Sequence, residues 1–323
     1  MRQLSTHLLD FPCDLIIRDA DLADCDVCLR AKSPKLPHDT QCSRSIRLLE
    51  RVWTDIMGPI TPSSREERYV IIFLDDYLNF AMGFIIKKRS EAAKCFNIFD
   101  DSASVQFPEL RISNLVCDGA KEFTLDEMRR LCENIGITIE SRQPYCPELQ
   151  GCIEKFNGTV SLHVRCMILD LQVPTQFSPE AVLAAINIIN RLPTKSNLGS
   201  GPPYELWHTR KATAKYACPF GCIAYAHIPV ADSKKFDERA NKVINFGASG
   251  SAGYNLYNPT TNSFFTSRDI KFLEYLNFCD YEWECEIEAH NALLHHDYAN
   301  ALTSTSTSLK LDDIVPATYS LFF

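Results

Sequence analysis

A chain of 323 residues with 46% hydrophobic content has enough apolar material for one substantial core and a smaller unit, so two folded domains with flanking segments are expected. No apolar run approaches the roughly 18–20 residues of a membrane span, and Met1 to Phe11 carries neither a basic n-region nor a long apolar stretch, so neither a membrane helix nor a signal peptide is expected. The 14 cysteines are scattered singly apart from Cys25 and Cys28, which reads as a reducing intracellular setting, and the formal charge of −8 gives no compositional support for phosphate binding.

That charge is unevenly placed. From Glu274 onward nine acids face one base, Lys310, so the first 273 residues carry 32 bases and 32 acids. Residues 1–50 hold Cys25-x2-Cys28 and then Arg30, Lys32, Lys35, Arg44 and Arg47 among prolines, an extended basic linker. From Arg51 short β-rich runs follow: Val52 to Ile56, Tyr69 to Leu74 and Phe80 to Lys87, each bounded by turn residues. A helix is expected over Ser90 to Ser104, a strand over Leu110 to Cys117, a helix over Thr124 to Asn134 and a strand over Gly136 to Glu140. Three successive strands and then alternating helix and strand predict an α/β fold with a mixed sheet.

After a proline-rich loop, Gln143 to Gly151, the residues Ile153, Phe156, Val160, Val164 and Met167 recur at helical spacing, so one stripe of a long helix faces the core. A second helix is expected from Ser178 to Asn190. Past Tyr216 short strands return around Gly247, Gly253 and Pro259, a small β unit over 201–275 with its connector. The tail, 276–323, is acidic and contains the repetitive Thr303 to Ser308, which predicts disorder.

Three acids stand at element ends. Asp55 closes an apolar strand before Gly58-Pro59, Asp118 ends another before Gly119, and Glu154 opens the long helix beside its apolar stripe. If the two strands are neighbours, both aspartates leave one edge of the sheet and the helix can bring Glu154 over them. Clustered carboxylates repel one another unless cations lie between them, and hard oxygen ligands suit Mg2+ or Mn2+. Two such ions can assist an in-line phosphoryl displacement. In a chain with 41 acids, surface carboxylates near turns are the competing reading.

Longer segments narrow the choice. Trp53 to Ile60 (WTDIMGPI) with Phe73 to Tyr77 (FLDDY) resembles the start of copia-type retrotransposon integrase cores, and Pro144 to Glu154 (PYCPELQGCIE) resembles the proline-rich loop and catalytic Glu helix of retrotransposon and retroviral integrases. Between Asp118 and Glu154 lie 35 residues, the spacing of the D-D-35-E family, with Cys117 to Phe123 (CDGAKEF) in the middle position. Ala181 to Pro193, Pro202 to Trp207, Pro219 to Gly221 and Ser267 to Phe272 continue the similarity in order, over roughly Cys25 to Glu274.

This resemblance implies an RNase H-like catalytic core over 51–200, with Asp55, Asp118 and Glu154 binding two Mg2+ or Mn2+ ions. It also implies an enzyme that joins retroelement DNA ends to target DNA, working as a homo-oligomer in nucleus and cytoplasm, without a membrane. Gln150 and Gly151 would lie in a mobile active-site loop, and Lys155, Asn157 and Arg165 would join them on DNA. Cys25 and Cys28 match the second half of a His-His-Cys-Cys zinc unit. Tetrahedral Zn2+ needs four ligands and His7 is the sole upstream histidine; Cys13, His38 or Cys42 could substitute, and ordinary reduced thiols are the competing reading. Gly119 stands where relatives usually carry Asn, and Gly158 where a base is often found. A domesticated, non-catalytic binding protein and an RNase H-like nuclease are the alternatives.

Other residues favour structural roles. Asp75 and Asp76 read as strand-to-turn residues, Trp53, Tyr204 and Trp207 as core aromatics, Cys117 as strand packing, and His295-His296 as solvated.

Overall fold

The structure, a computed structural model, describes Leu8–Leu9 and residues 44–61, 65–117, 126–141, 151–194, 197, 200–213, 218–228, 236–249, 253–278 and 280–281. Residues 1–278 form one compact unit; residues 279–323 form a second, of which only 280–281 are described. The expected zinc-binding and tail segments therefore lie almost wholly outside the described residues.

The first sheet contains β1 (Arg51–Met57), β2 (Tyr69–Asp75), β3 (Ala81–Ile86), β4 (Asn114–Cys117) and β5 (Thr138–Ser141) in the order β3-β2-β1-β4-β5. The first three strands are antiparallel neighbours, while β1-β4 and β4-β5 run parallel. This is the mixed sheet of an RNase H-like core, with β1 at its centre. The strand expected from Leu110 starts four residues later. Leu110 donates its N–H to Phe107 in a turn, and Arg111 Nη1 takes the carbonyls of Pro108 and Leu110, so these residues stay out of the ladder.

Residue alternation on β2 explains the helices on both faces. Ile71 and Phe73 point into the core shared with α1 (Ala92–Gln106), where Phe73 meets Phe96 and Phe99 at ring-centroid separations of 5.6 and 5.2 Å. Val70, Ile72 and Leu74 point the other way and are equally buried. Each such side chain stabilises the fold by about 1.5–3 kcal/mol relative to exposure. Gly83 lies on that second face, where an added Cβ would come within 2.7 Å of Ile186 Cδ1, so α4 (Ser178–Arg191) packs closely on the strand. Its Asn190 covers the sheet edge: Oδ1 accepts from Ala81 N–H at 2.9 Å and Nδ2 donates to Ala81 O at 2.7 Å.

The remaining core helices are α2 (Asp126–Ile135), α3 (Gly151–Leu171) and α5 (Pro203–His208). Trp207 of α5, sequence-assigned to the connector after residue 200, is fully buried in the first sheet's core. Its ring stacks on Phe80 at 4.3 Å and meets Phe99 and Phe107 at 5.9 and 5.2 Å.

A second, wholly antiparallel sheet holds β6 (Cys222–His227), β7 (Ala240–Ser249), β8 (Gly253–Asn258), β9 (Ser263–Ser267) and β10 (Ile270–Asn277), in the order β9-β8-β7-β6-β10. An aromatic group fastens it to the start of α4: Phe177 stacks on Phe246 at 4.8 Å and meets Tyr257 and Phe278 at 4.9 and 5.8 Å. The β-rich C-terminal unit is thus present, with its last strand ending at Asn277.

Candidate metal and nucleic-acid site

The parallel register of β1 and β4 pairs Arg51 with Asn114 and ends by pairing Thr54 with Cys117. One residue further along the two chains are Asp55 and Asp118. Asp118 itself, like Gln150, lies outside the described residues.

The helix that carries Glu154 is tied to the first sheet at two points, one on β1 and one on the turn after β2. Ile153, Val160 and Val164 bury one stripe of α3 as the spacing predicts, and Phe156 and Met167 are half-buried. Asn157, one turn beyond Glu154, donates Nδ2–H to Asp55 Oδ2 at 2.6 Å. Nearer the helix start, Cys152 Sγ lies 3.5 Å from Asp76 Oδ1, the oxygen that also accepts from Trp53 Nε1 at 3.0 Å. Residues three apart on a helix share a face, so Glu154 stands on the side of α3 that carries Asn157. Glu154 is exposed in the first turn, where a carboxylate is favoured by the amide dipoles.

Asn157 Oδ1 is buried and has no hydrogen-bond donor among the described residues. The amide cannot turn over to relieve this, because its oxygen would then face the Asp55 carboxylate, an acceptor too. The Asn157 amide oxygen and the Asp55 carboxylate are hard oxygen donors, the type that Mg2+ or Mn2+ takes. Among the described residues no three His, Cys, Asp or Glu side chains gather as a metal site; the third carboxylate of the set, Asp118, is outside them. Cys25 and Cys28 are outside them too.

Gly151 is the first residue of α3 rather than the end of a loop, and it is exposed. Lys155 and Arg165 are both exposed. Arg165 is eleven residues past Glu154, which returns it to nearly the same face about 16 Å along the axis. Gly158 is exposed as well, with open space where a Cβ would be.

The adjacent acids Asp75 and Asp76 are buried and structural, as their place at a strand end suggested. Asp75 accepts from Leu49 N–H at 3.0 Å and Leu78 N–H at 2.7 Å, and burial pushes its carboxyl up to about 6 against those hydrogen bonds. Asp76 accepts from Ser45 N–H at 2.6 Å besides Trp53. Burial raises its pKa, but the bonds from Trp53, Ser45 and Cys152 outweigh that and hold it below the ordinary carboxylate value. Its part in anchoring the start of α3 had no signal in the sequence beyond a paired acid after a strand. Trp53 and Cys117 are core residues, whereas Tyr204 is half-buried. A cavity of about 530 Å³ lies elsewhere, between β3, α4 and the second sheet, with Glu180 held by Arg65 at 2.6 Å in its wall.

The retroviral polymerase SH3-like domain family matches residues 222–282, a range that includes the second sheet. The Retrovirus-related Pol polyprotein from transposon TNT 1-94 of Nicotiana tabacum is 29% identical over 77% of this chain. That from transposon RE2 of Arabidopsis thaliana is 25% identical over 78%. The chain spans 19% and 17% of the lengths of these two relatives. Among solved structures, the simian T-cell lymphotropic virus intasome in complex with PP2A regulatory subunit B56 gamma aligns with a TM-score of 0.43 and 15% identity, over 78% of this chain and 88% of that one. The protein carries a retroviral Pol-related domain. Its homologues include retrovirus-related Pol polyproteins of plant copia-type transposons.

Proposed function

We propose that this chain is the integrase portion of such a polyprotein, a divalent-metal-dependent polynucleotidyl transferase that joins retroelement DNA ends to target DNA. The observation that carries this reading is the Asn157–Asp55 hydrogen bond, which ties α3 to the central strand one turn from Glu154. Asp55, Asp118 and Glu154 would hold the metal, with Mg2+ or Mn2+ as the ions these oxygens suit. When bound, two such ions make the attacking oxygen a better nucleophile and neutralise charge on the leaving oxygen.

The protein's own residues have separable tasks in this scheme. Asn157 fixes one oxygen of Asp55 and so orients the other. Glu154 reaches the site from a helix whose start is held by Cys152 and Asp76. Gly151, Lys155 and Arg165 would approach the DNA from the exposed side of α3, and Gln150 is assigned to the same contact. Integration joins two DNA ends, so the working form is a homo-oligomer.

The test is Mn2+- or Mg2+-dependent reversal of strand transfer on a branched oligonucleotide, comparing wild type with Glu154→Gln. Metal stabilisation of the transition state is worth several kcal/mol, so the variant should be slower by on the order of a hundredfold or more. Equal rates would remove Glu154 from the site. A folded, DNA-binding wild type inactive with both metals would favour a domesticated protein that binds without catalysis.

A further inference from the structure

Away from the carboxylates, three positively chargeable side chains gather round one aromatic ring. Arg191, the last residue of α4, lays its guanidinium over the Tyr204 ring at 4.2 Å, and Arg210, just past α5, approaches the same ring at 5.6 Å. His208, one turn after Tyr204 on α5, has its ring centroid 4.5 Å from Tyr204's. Apolar packing fixes the group in place: Trp207 is fully buried against Phe80, and His208 meets the edge of Phe80 at 5.6 Å. The opposite side of α5 is therefore locked to the core, and the Tyr204 ring is a rigid support for two guanidinium forks.

Among the described residues neither fork meets a carboxylate. Arg191 donates to the main-chain and side-chain oxygens of Asn187, both uncharged. The acid of α5, Glu205, is engaged by Lys211 at 3.1 Å. Burial and then the fields of Arg210 and Arg191 push His208 down to about 4, so the imidazole is neutral and the local charge is that of the two arginines. Like charges held side by side are relieved by an anion, and a planar fork matches the paired oxygens of a phosphate.

We propose that Arg191 and Arg210, braced on Tyr204, form a phosphate-binding subsite for the backbone of bound DNA. With guanidinium groups over its ring, Tyr204 is no platform for a stacked base, so the contact is with phosphate and is independent of sequence. The identity of the polyanion rests on the integrase reading; the subsite itself lies outside the residues assigned to DNA on α3 and its preceding loop.

The experiment is binding of the full chain to a labelled DNA duplex across a salt series, for wild type, Arg210→Gln, Arg191→Lys and, as a control of equal charge change, Lys271→Gln on β10. Arg210 is exposed, so its replacement leaves the core intact. Each lost phosphate contact should lower the slope of log K against log salt by about 0.9 and weaken binding on the order of tenfold at 0.1 M salt. That is the result expected for Arg210→Gln, with a smaller loss for Arg191→Lys and none for Lys271→Gln. In wild type the His208 imidazole should titrate at higher pH once DNA is bound. An unchanged slope for Arg210→Gln, or an equal loss for Lys271→Gln, overturns the subsite while leaving the integrase reading standing. A wild type that binds no DNA at any salt overturns both.

Discussion

Asn157 and Asp55 are 102 positions apart, and the amide of one donates to the carboxylate of the other at 2.6 Å. This bond joins the long helix to the central strand where the metal carboxylates are proposed. Replacing Asn157 with Ala removes the clamp without emptying a core position. A hydrogen bond to a charged group is worth about 1.5–3 kcal/mol. The rate of strand-transfer reversal should fall by tenfold or more, and unfolding free energy by about the worth of that bond. An Asn157→Ala protein as active as wild type would show that Asp55 needs no such orientation.

The buried acids at the end of β2 give the fold opposing pH responses. The folded pKa of Asp75, about 6, lies above its ordinary 3.8, so the folded state binds more protons than the unfolded state between those values. Stability from this group therefore falls as pH rises through that window, by about 3 kcal/mol in full. Asp76 is shifted down, so its contribution is present above about pH 4 and lost as pH falls further. Urea unfolding between pH 4 and 7 should show a slope in wild type that Asp75→Asn flattens; equal slopes would mean that Asp75 is ionised normally.

Asn190 closes the edge of β3 by satisfying both backbone groups of Ala81. Truncation to Ala leaves a buried N–H and a buried carbonyl without partners, each costing about 1–3 kcal/mol. Asn190→Ala should lose about 2–4 kcal/mol in urea unfolding, far more than an exposed substitution such as Lys87→Ala. A loss below 1 kcal/mol would mean that water replaces the side chain.

Gly158 sits on the exposed side of α3 with nothing within 4 Å of an added Cβ. Gly158→Ala should raise stability by about 1 kcal/mol, read as a higher melting temperature. Strand-transfer reversal should be unchanged if the glycine has no catalytic part.

Local spacing and motif were enough to place the periodic elements and to pick out the candidate chemistry. The stripe through Ile153, Val160 and Val164 is buried because helical spacing puts those residues on one side, and Tyr69–Asp75 is a strand because its β-branched and aromatic run can be buried on both faces. The resemblance in WTDIMGPI and PYCPELQGCIE singled out Asp55 and Glu154 from 41 acids. Local signals go no further than the element itself. That β1 lies between β2 and β4, that Thr54 faces Cys117, that Asp76 bonds both Trp53 and Cys152, and that Trp207 enters the first core were decided only by the tertiary structure. So was the meeting of Arg191, Tyr204 and Arg210. The reason is that strand order and side-chain pairing between distant segments are set by how apolar faces fill a common volume, which no spacing along the chain records.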